Sequence, residues 1–183
     1  MLSRKLSLTA LAIGLAILPA EAATRGDATP WSVQVGQVDA GEIEIAPEFT
    51  AAIYENLIIE LGKAKQFSAV LRDGDRNAQV RSSLLILKTA VESFHAGSET
   101  KRAVTTVAGA TKLKVRAQLV TKDGKVVFER ELDGNVRFFG GNLRATHNLA
   151  RNVAKAVRQA KLAEPDPVSE SLEKLRQLFR QVS

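Results

Sequence analysis

Residues 112–132, KLKVRAQLVTKDGKVVFEREL, constrain the fold more than any other part of the chain. Apolar and polar side chains alternate on both sides of Asp123-Gly124, a dipeptide suited to the left-handed backbone of a two-residue hairpin turn. With Asp123 and Gly124 as the loop, Lys122 stands opposite Lys125 and every pairing further out follows by counting. Val115 then meets Leu132 and Leu119 meets Phe128 on a buried face. On the other face Arg116 meets Glu131 and Lys114 meets Asp133, opposite charges directly across. The basic look of KLKVR is answered by its own hairpin, which argues against a binding patch there.

Upstream, the hydrophobic period switches twice. WSVQVGQV puts Trp31, Val33 and Val35 on one face of a strand. From Pro47, suited to a first helical turn, Phe49, Ile53, Leu57 and Leu61 recur at helical spacing, with Gly62 as the expected end near Lys63. FSAVLRDGD returns to strand and turn, so a parallel pair with a right-handed helical crossover is expected. SSLLILKTAVESF, residues 82–94, reads as a longer buried strand, and HAGSETKRAVTTVAGA as a long loop or ragged hairpin.

After Gly140-Gly141, the segment NLRATHNLARNVAKAVRQAK carries Thr146, Ala150, Val153, Val157 and Ala160 as one helical stripe with Leu149 beside it. Pro165 and Pro167 break that helix, and Val168, Leu172, Leu175, Phe179 and Val182 follow as a second stripe. Such a stripe needs cover: its own domain, a partner helix, self-association or a membrane surface. The expected class is α/β (α+β): one mixed sheet of about five strands, two helices on one face, and an additional C-terminal amphipathic helix. The expected domain spans residues 31–163 and the tail helix 164–183.

The chain opens with Arg4 and Lys5, an apolar run from Leu6 to Leu18, and Ala20-Glu21-Ala22, which reads as a secretory signal peptide cut after Ala22. Residues 23–30 would form a flexible leader containing an Arg-Gly-Asp triplet of no further expected consequence. There is no cysteine, hence no disulfide, no thiolate metal site and no thiol to acylate. No Asn-x-Ser/Thr sequon occurs, and the two facts together point to a bacterial periplasm. No later segment is apolar for the roughly 20 residues a membrane span needs. The net charge of +6 suits anionic lipid headgroups, lipopolysaccharide, peptidoglycan or an acidic envelope protein; export takes the chain away from nucleic acid.

Two constellations stand out. Gly140, Gly141 and Asn142 at a helix start, flanked by Arg137 and Arg144, have the ingredients of an anion site, but they lack the lysine and hydroxyl of a phosphate loop. A sharp strand-to-helix joint with Asn142 as N-cap explains them as well. The helix that follows is more informative. Arg144, Asn148, Arg151, Lys155 and Arg158 fall on one face opposite Val153 and Val157, and no acid occurs between Asn142 and Ala163. Either Glu48, Glu55, Glu60 or the tail acids Glu164, Asp166, Glu170 and Glu173 lie alongside, or an external polyanion or acidic partner does.

Catalytic patterns fare poorly. His95 and His147 are the chain's histidines and share no metal-ligand spacing. Ser98-x-x-Lys101 and Ser171-x-x-Lys174 match a serine–lysine pattern without its companion motifs. Asp73 to Asn77 begins like a calcium loop, yet Ala78 stands where a glycine is required and Leu84 where the bidentate glutamate belongs. No metal, no cofactor and no enzymatic activity is expected.

FSAV, FHAGSETKR, GATKLKVRAQLVTKDGKVVFE and FFGGNLRATHNLARNVAKAV occur in an order that resembles the bacterial envelope family catalogued as domain of unknown function 4410. The likeness runs from about Trp31 to Lys161 and rests on turn glycines, Asp123-Gly124-Lys125 and apolar periodicity. It implies an exported α/β domain with no assigned catalytic residue. Many relatives look lipid-anchored through a cysteine that this chain lacks. The functional expectation is a periplasmic binding or assembly protein that uses Arg144, Arg151, Lys155 and Arg158. The alternative is a carrier or sensor of a small anionic or lipidic ligand, held in an apolar cavity near Gly140 and Gly141.

Overall fold

The computed structural model describes residues 31–98, 100–101, 109–136 and 141–165. Residues 1–30, where the signal peptide and leader are expected, Arg137 and Gly140, and residues 166–183, where the tail helix is expected, lie outside the described residues. The chain runs β1 (Ser32–Asp39), α1 (Pro47–Ala64), β2 (Val70–Arg72), a short 3-10 helix (Arg76–Ala78), β3 (Leu84–His95), β4 (Lys112–Thr121), β5 (Val126–Asp133) and α2 (Arg144–Gln159). The strands form one five-stranded mixed sheet in the order β2-β1-β3-β4-β5. β1 is parallel to both β2 and β3, and β3, β4 and β5 form an antiparallel meander. The parallel part therefore has three strands, one more than the crossover alone predicts.

Both helices cover the same face. Phe49, Ile53, Leu57 and Leu61 of α1, and Leu149, Ala150, Val153 and Val157 of α2, are buried in one core with Val33, Val35, Leu85, Leu87, Val115 and Leu119 of the sheet. The side-chain period explains this: odd-numbered residues of β4, and of β3 as far as Val91, face the helices, and past an irregularity between Val91 and Ser93 it is Phe94 that does, its ring 4.8 Å from that of Phe49. α1 and α2 lie alongside each other. Asn56 Nδ2 donates to Thr146 Oγ1 at 2.9 Å, and Gln66 Nε2 donates to the Val157 carbonyl at 3.0 Å.

Three local readings are corrected. Gly62 does not end α1. The helix continues to Ala64, and Lys65 takes the left-handed conformation (φ 51°), its N–H directed to the Gly62 carbonyl at 3.4 Å. The hairpin loop is one residue longer than expected. Gly124 N–H donates to the Thr121 carbonyl and Thr121 N–H to the Lys125 carbonyl, so Thr121, not Lys122, faces Lys125. Gly124 supplies the left-handed residue (φ 90°) that closes this three-residue loop. An irregularity between Leu119 and Val120 then absorbs one extra residue of β5. The two offsets cancel. Leu119↔Phe128, Arg116↔Glu131, Val115↔Leu132 and Lys114↔Asp133 pair as counted from the shorter loop.

Nor is Asn142 an N-cap. Leu143 occupies that position without a side-chain cap. The Asn142 amide instead ties three segments together: Oδ1 accepts from the buried Thr111 hydroxyl at 2.7 Å, and Nδ2 donates to the Gly97 carbonyl at 3.2 Å. Asn142→Ala removes both of these hydrogen bonds, one of them to a buried hydroxyl. We expect a cost of about 1–3 kcal/mol, read as a lower urea midpoint at unchanged m-value.

Candidate functional site: the outer face of α2

Burial of the Leu149, Val153 and Val157 stripe forces the opposite face of α2 outward. Arg144, Arg151, Lys155 and Arg158 are all exposed. Arg144 is engaged by other residues. Among the described residues Arg151, Lys155 and Arg158 take part in no ion pair. Their spacings of four and three residues keep these like charges as neighbours, at a cost of a few tenths of a kcal/mol per pair. Arg158, in the last turn, recovers part of that from the helix dipole.

The acids of α1 that could have answered them are committed elsewhere or stand apart. Arg72 grips Glu55 through two hydrogen bonds of 2.6 and 2.7 Å, and this bidentate contact holds the Glu55 carboxyl below its usual range. Glu60 accepts from Lys63 Nζ at 2.7 Å and lies 3.9 Å from His147 Nδ1. Glu48 is exposed in the first turn of α1. On the far side of the sheet Arg116 sits among Glu92 (3.0 Å), Glu129 (3.7 Å) and Glu131 (3.9 Å). The hydrogen bond from Lys114 to Glu131 raises the lysine's affinity for its proton. Lys114 and Arg116 of the hairpin thus have acids beside them, and Arg151, Lys155 and Arg158 of α2 have none among the described residues.

Asn148, which shares the basic face by spacing, is a tether: its Nδ2 donates to the Asn135 carbonyl at 2.9 Å. Asn152 does the same to the Asp133 carbonyl at 2.7 Å, so α2 is fastened to the end of β5. Around these tethers runs an open groove of about 640 Å³, lined by Glu60, Lys63 and Ala64 of α1, Asp133 and Asn135 after β5, and Asn148, Arg151, Asn152, Ala154, Lys155 and Arg158 of α2. Its four cations outnumber its two acids, and its amides offer donors and acceptors. Lys63 joins the site only because α1 and α2 lie side by side, a juxtaposition no local spacing reveals.

The other candidates are placed as follows. Gly141 is exposed. The N–H groups of Arg144, Ala145 and Thr146 already donate to the carbonyls of Gly141, Asn142 and Leu143, so an anion at this helix start would compete for them. Asp75 accepts from the Asn77 N–H and amide at 2.9 Å each, a turn closed on itself. Ser98 Oγ accepts from the Lys101 N–H at 3.3 Å. The Ser171–Lys174 pair lies outside the described residues. His95 is exposed at the end of β3 and His147 stands on α2; among the described residues no group of three His, Asp or Glu is placed to hold a metal ion. Among them no helix is long and apolar enough to cross a membrane.

Comparison with solved structures settles the architecture. A PelC dodecamer from Paraburkholderia phytofirmans, carrying one substitution, superposes with a TM-score of 0.52 at 16% identity, over 70% of this chain and 89% of that one. The chain has the fold of PelC. A second PelC dodecamer from the same organism gives 0.50 at 19% identity, over 68% and 86% of the two chains. A Xanthomonas campestris protein assigned to the family of unknown function 330 matches at 0.41 and 15% identity, over 84% and 95%. No family model and no curated protein matches the chain, so the resemblance to domain of unknown function 4410 has no family match behind it.

Proposed function

We propose that this is an exported, non-enzymatic binding or assembly protein of the bacterial cell envelope, which contacts an anionic envelope component or an acidic envelope protein through the outer face of α2. The observation that carries this reading is the exposure of Arg151, Lys155 and Arg158 without an ion-pair partner among the described residues. A helix that accepts this repulsion while every basic residue of the hairpin's Lys114–Arg116 pair has an acid beside it is built for an external counter-charge. The signal-like N-terminus and the family resemblance support the export half of the proposal.

The solved PelC structures of this fold are dodecamers, which supports assembly as one form that such contact could take. Charged and amide side chains line the α2 groove, which favours an anionic ligand and gives a lipidic one no apolar seat. The test is sedimentation of the full chain with lipopolysaccharide, anionic phospholipid vesicles, and peptidoglycan sacculi, at low and at high salt. Binding to at least one of them that falls at high salt is expected, because exposed charges are screened within about 10 Å at 0.1 M. Salt-independent binding would contradict the reading, and no binding would restrict it to an acidic envelope protein.

A further inference from the structure

α1 and α2 run parallel. Asn56 is bonded to Thr146 near the start of α2, and Gln66, just past α1, to the Val157 carbonyl near its end. Both helices cover one face of the sheet, so their outer sides form a single broad surface with a seam between them. Helical spacing assigns residues to that seam. His147 of α2 lies 3.9 Å from Glu60 of α1, so Leu143 and Arg151, four residues to either side of it, share its side of α2. Leu143 already has helical backbone angles (φ −60°, ψ −17°), so the spacing holds for it. Ile59 stands three residues after Asn56 and four before Lys63, which puts it on the side of α1 turned towards α2.

Two apolar side chains stand out of this seam. Ile59 and Leu143 are each 47% exposed. The other exposed large apolar side chains among the described residues, Val80, Val126 and Val127, lie after the 3-10 helix and in β5, off the helical layer. Counting along the parallel helices puts Ile59 level with residue 149, about 9 Å from the level of Leu143. Arg151, Lys155 and Arg158, exposed and without an ion pair among the described residues, follow over about the next 14 Å. Nearby acids are answered: Glu60 by Lys63 and Glu55 by Arg72. Glu48 stands about 16 Å back along α1 from Ile59.

We infer that the outer face of the two helices docks on an anionic phospholipid bilayer, with Ile59 and Leu143 entering between the headgroups and Arg151, Lys155 and Arg158 on the lipid phosphates. This rests on the proposal that the outer face of α2 meets an anion, and it names which one. A soluble polyanion or an acidic protein uses the cations alone and gives Ile59 and Leu143 no particular role. A bilayer takes up both kinds of side chain at once, apolar groups at the headgroup boundary and cations against its negative surface. The α2 groove, lined by charged and amide groups, gives an acyl chain no seat, so the lipid is met as a surface and not as a bound molecule.

The chain has no cysteine, so Ile59→Cys, Leu143→Cys and Val126→Cys in the full chain each accept a single nitrobenzoxadiazole label, whose emission reports the polarity around it. With vesicles of phosphatidylcholine and phosphatidylglycerol, a blue shift is expected at residues 59 and 143 and none at 126. Pure phosphatidylcholine should shift none of them. An unshifted label at 59 or 143, or an equal shift at 126, would overturn the inference. Without label, Ile59→Ser, Leu143→Ser should retain its circular dichroism and bind the mixed vesicles about tenfold more weakly; undiminished binding would equally overturn it. Dextran sulfate, an anion with no apolar layer, tests the underlying reading separately. The chain should bind it, and Arg151→Glu, Lys155→Glu should weaken that binding at least about tenfold. If that loss is seen while the labels stay unshifted, the bilayer is wrong and the basic face stands; if neither is seen, both fail.

Discussion

Replacing Gly134 by valine is expected to cost at least about 3 kcal/mol and to lower the melting temperature by about 10 °C. Gly134 is buried where the chain leaves β5, its N–H bonded to the Leu113 carbonyl at 2.8 Å. A Cβ there would run into the Ala145 carbonyl, lie 2.5 Å from Leu149 Cβ and 2.8 Å from Leu149 N. Two of these obstacles are backbone atoms of α2, so no rotamer change relieves them. The helix must move, and it carries the Asn148 and Asn152 tethers and the basic face with it. Thermal unfolding of Gly134→Val beside Gly62→Val separates this from a general intolerance of glycine replacement. A Cβ at Gly62 meets nothing within 4 Å, so that variant should lose far less.

Leu57→Ala is expected to cost about 2–5 kcal/mol, whereas Ile59→Ala, two residues along the same helix, should stay within about 0.5 kcal/mol. Leu57 is 0% exposed at the centre of the core; Ile59 is 47% exposed. Leu57 lies on the stripe that seats α1 in the core, so its loss leaves a cavity that its neighbours can only partly fill. Urea unfolding of the two variants checks both figures. Equal costs would mean that α1 is rotated from the position described.

What the sequence made legible was whatever depends on period and counting. The α1 stripe of Phe49, Ile53, Leu57 and Leu61 is the set buried in the structure, because a 3.6-residue period leaves little choice of face. The β4–β5 partners came out as counted, though through two offsets that cancel: a longer loop closed by Gly124 and an extra residue in β5. Hairpin loop length depends on backbone details that a single Asp-Gly does not fix, whereas burial of Val115, Leu119 and Phe128 does fix the face. The same limit applies to Asn142. Its type suits an N-cap, but the amide is taken by Thr111 and Gly97, partners 31 and 45 residues away.

The basic face of α2 was readable because it is a helical spacing, and its exposure follows from the burial of the opposite stripe. The groove was not. Lys63, Asp133 and Asn135 reach it from α1 and from the end of β5, and only tertiary packing brings them together. Gly134 escaped notice for a related reason. Sequence marks a glycine as conformationally free, while here the lack of a side chain serves the close approach of a helix formed later in the chain.

The most direct test of the α2 surface is a crosslinking pull-down from envelope extract with the full chain. It should be run beside the double variant Arg151→Glu, Lys155→Glu and a charge-matched control, Lys112→Glu, Lys125→Glu, whose two lysines are exposed on other elements. The account predicts salt-sensitive partners or envelope components whose capture falls by about tenfold or more in the α2 variant and persists in the control. Equal capture by all three proteins, or equal loss in both variants, would contradict it.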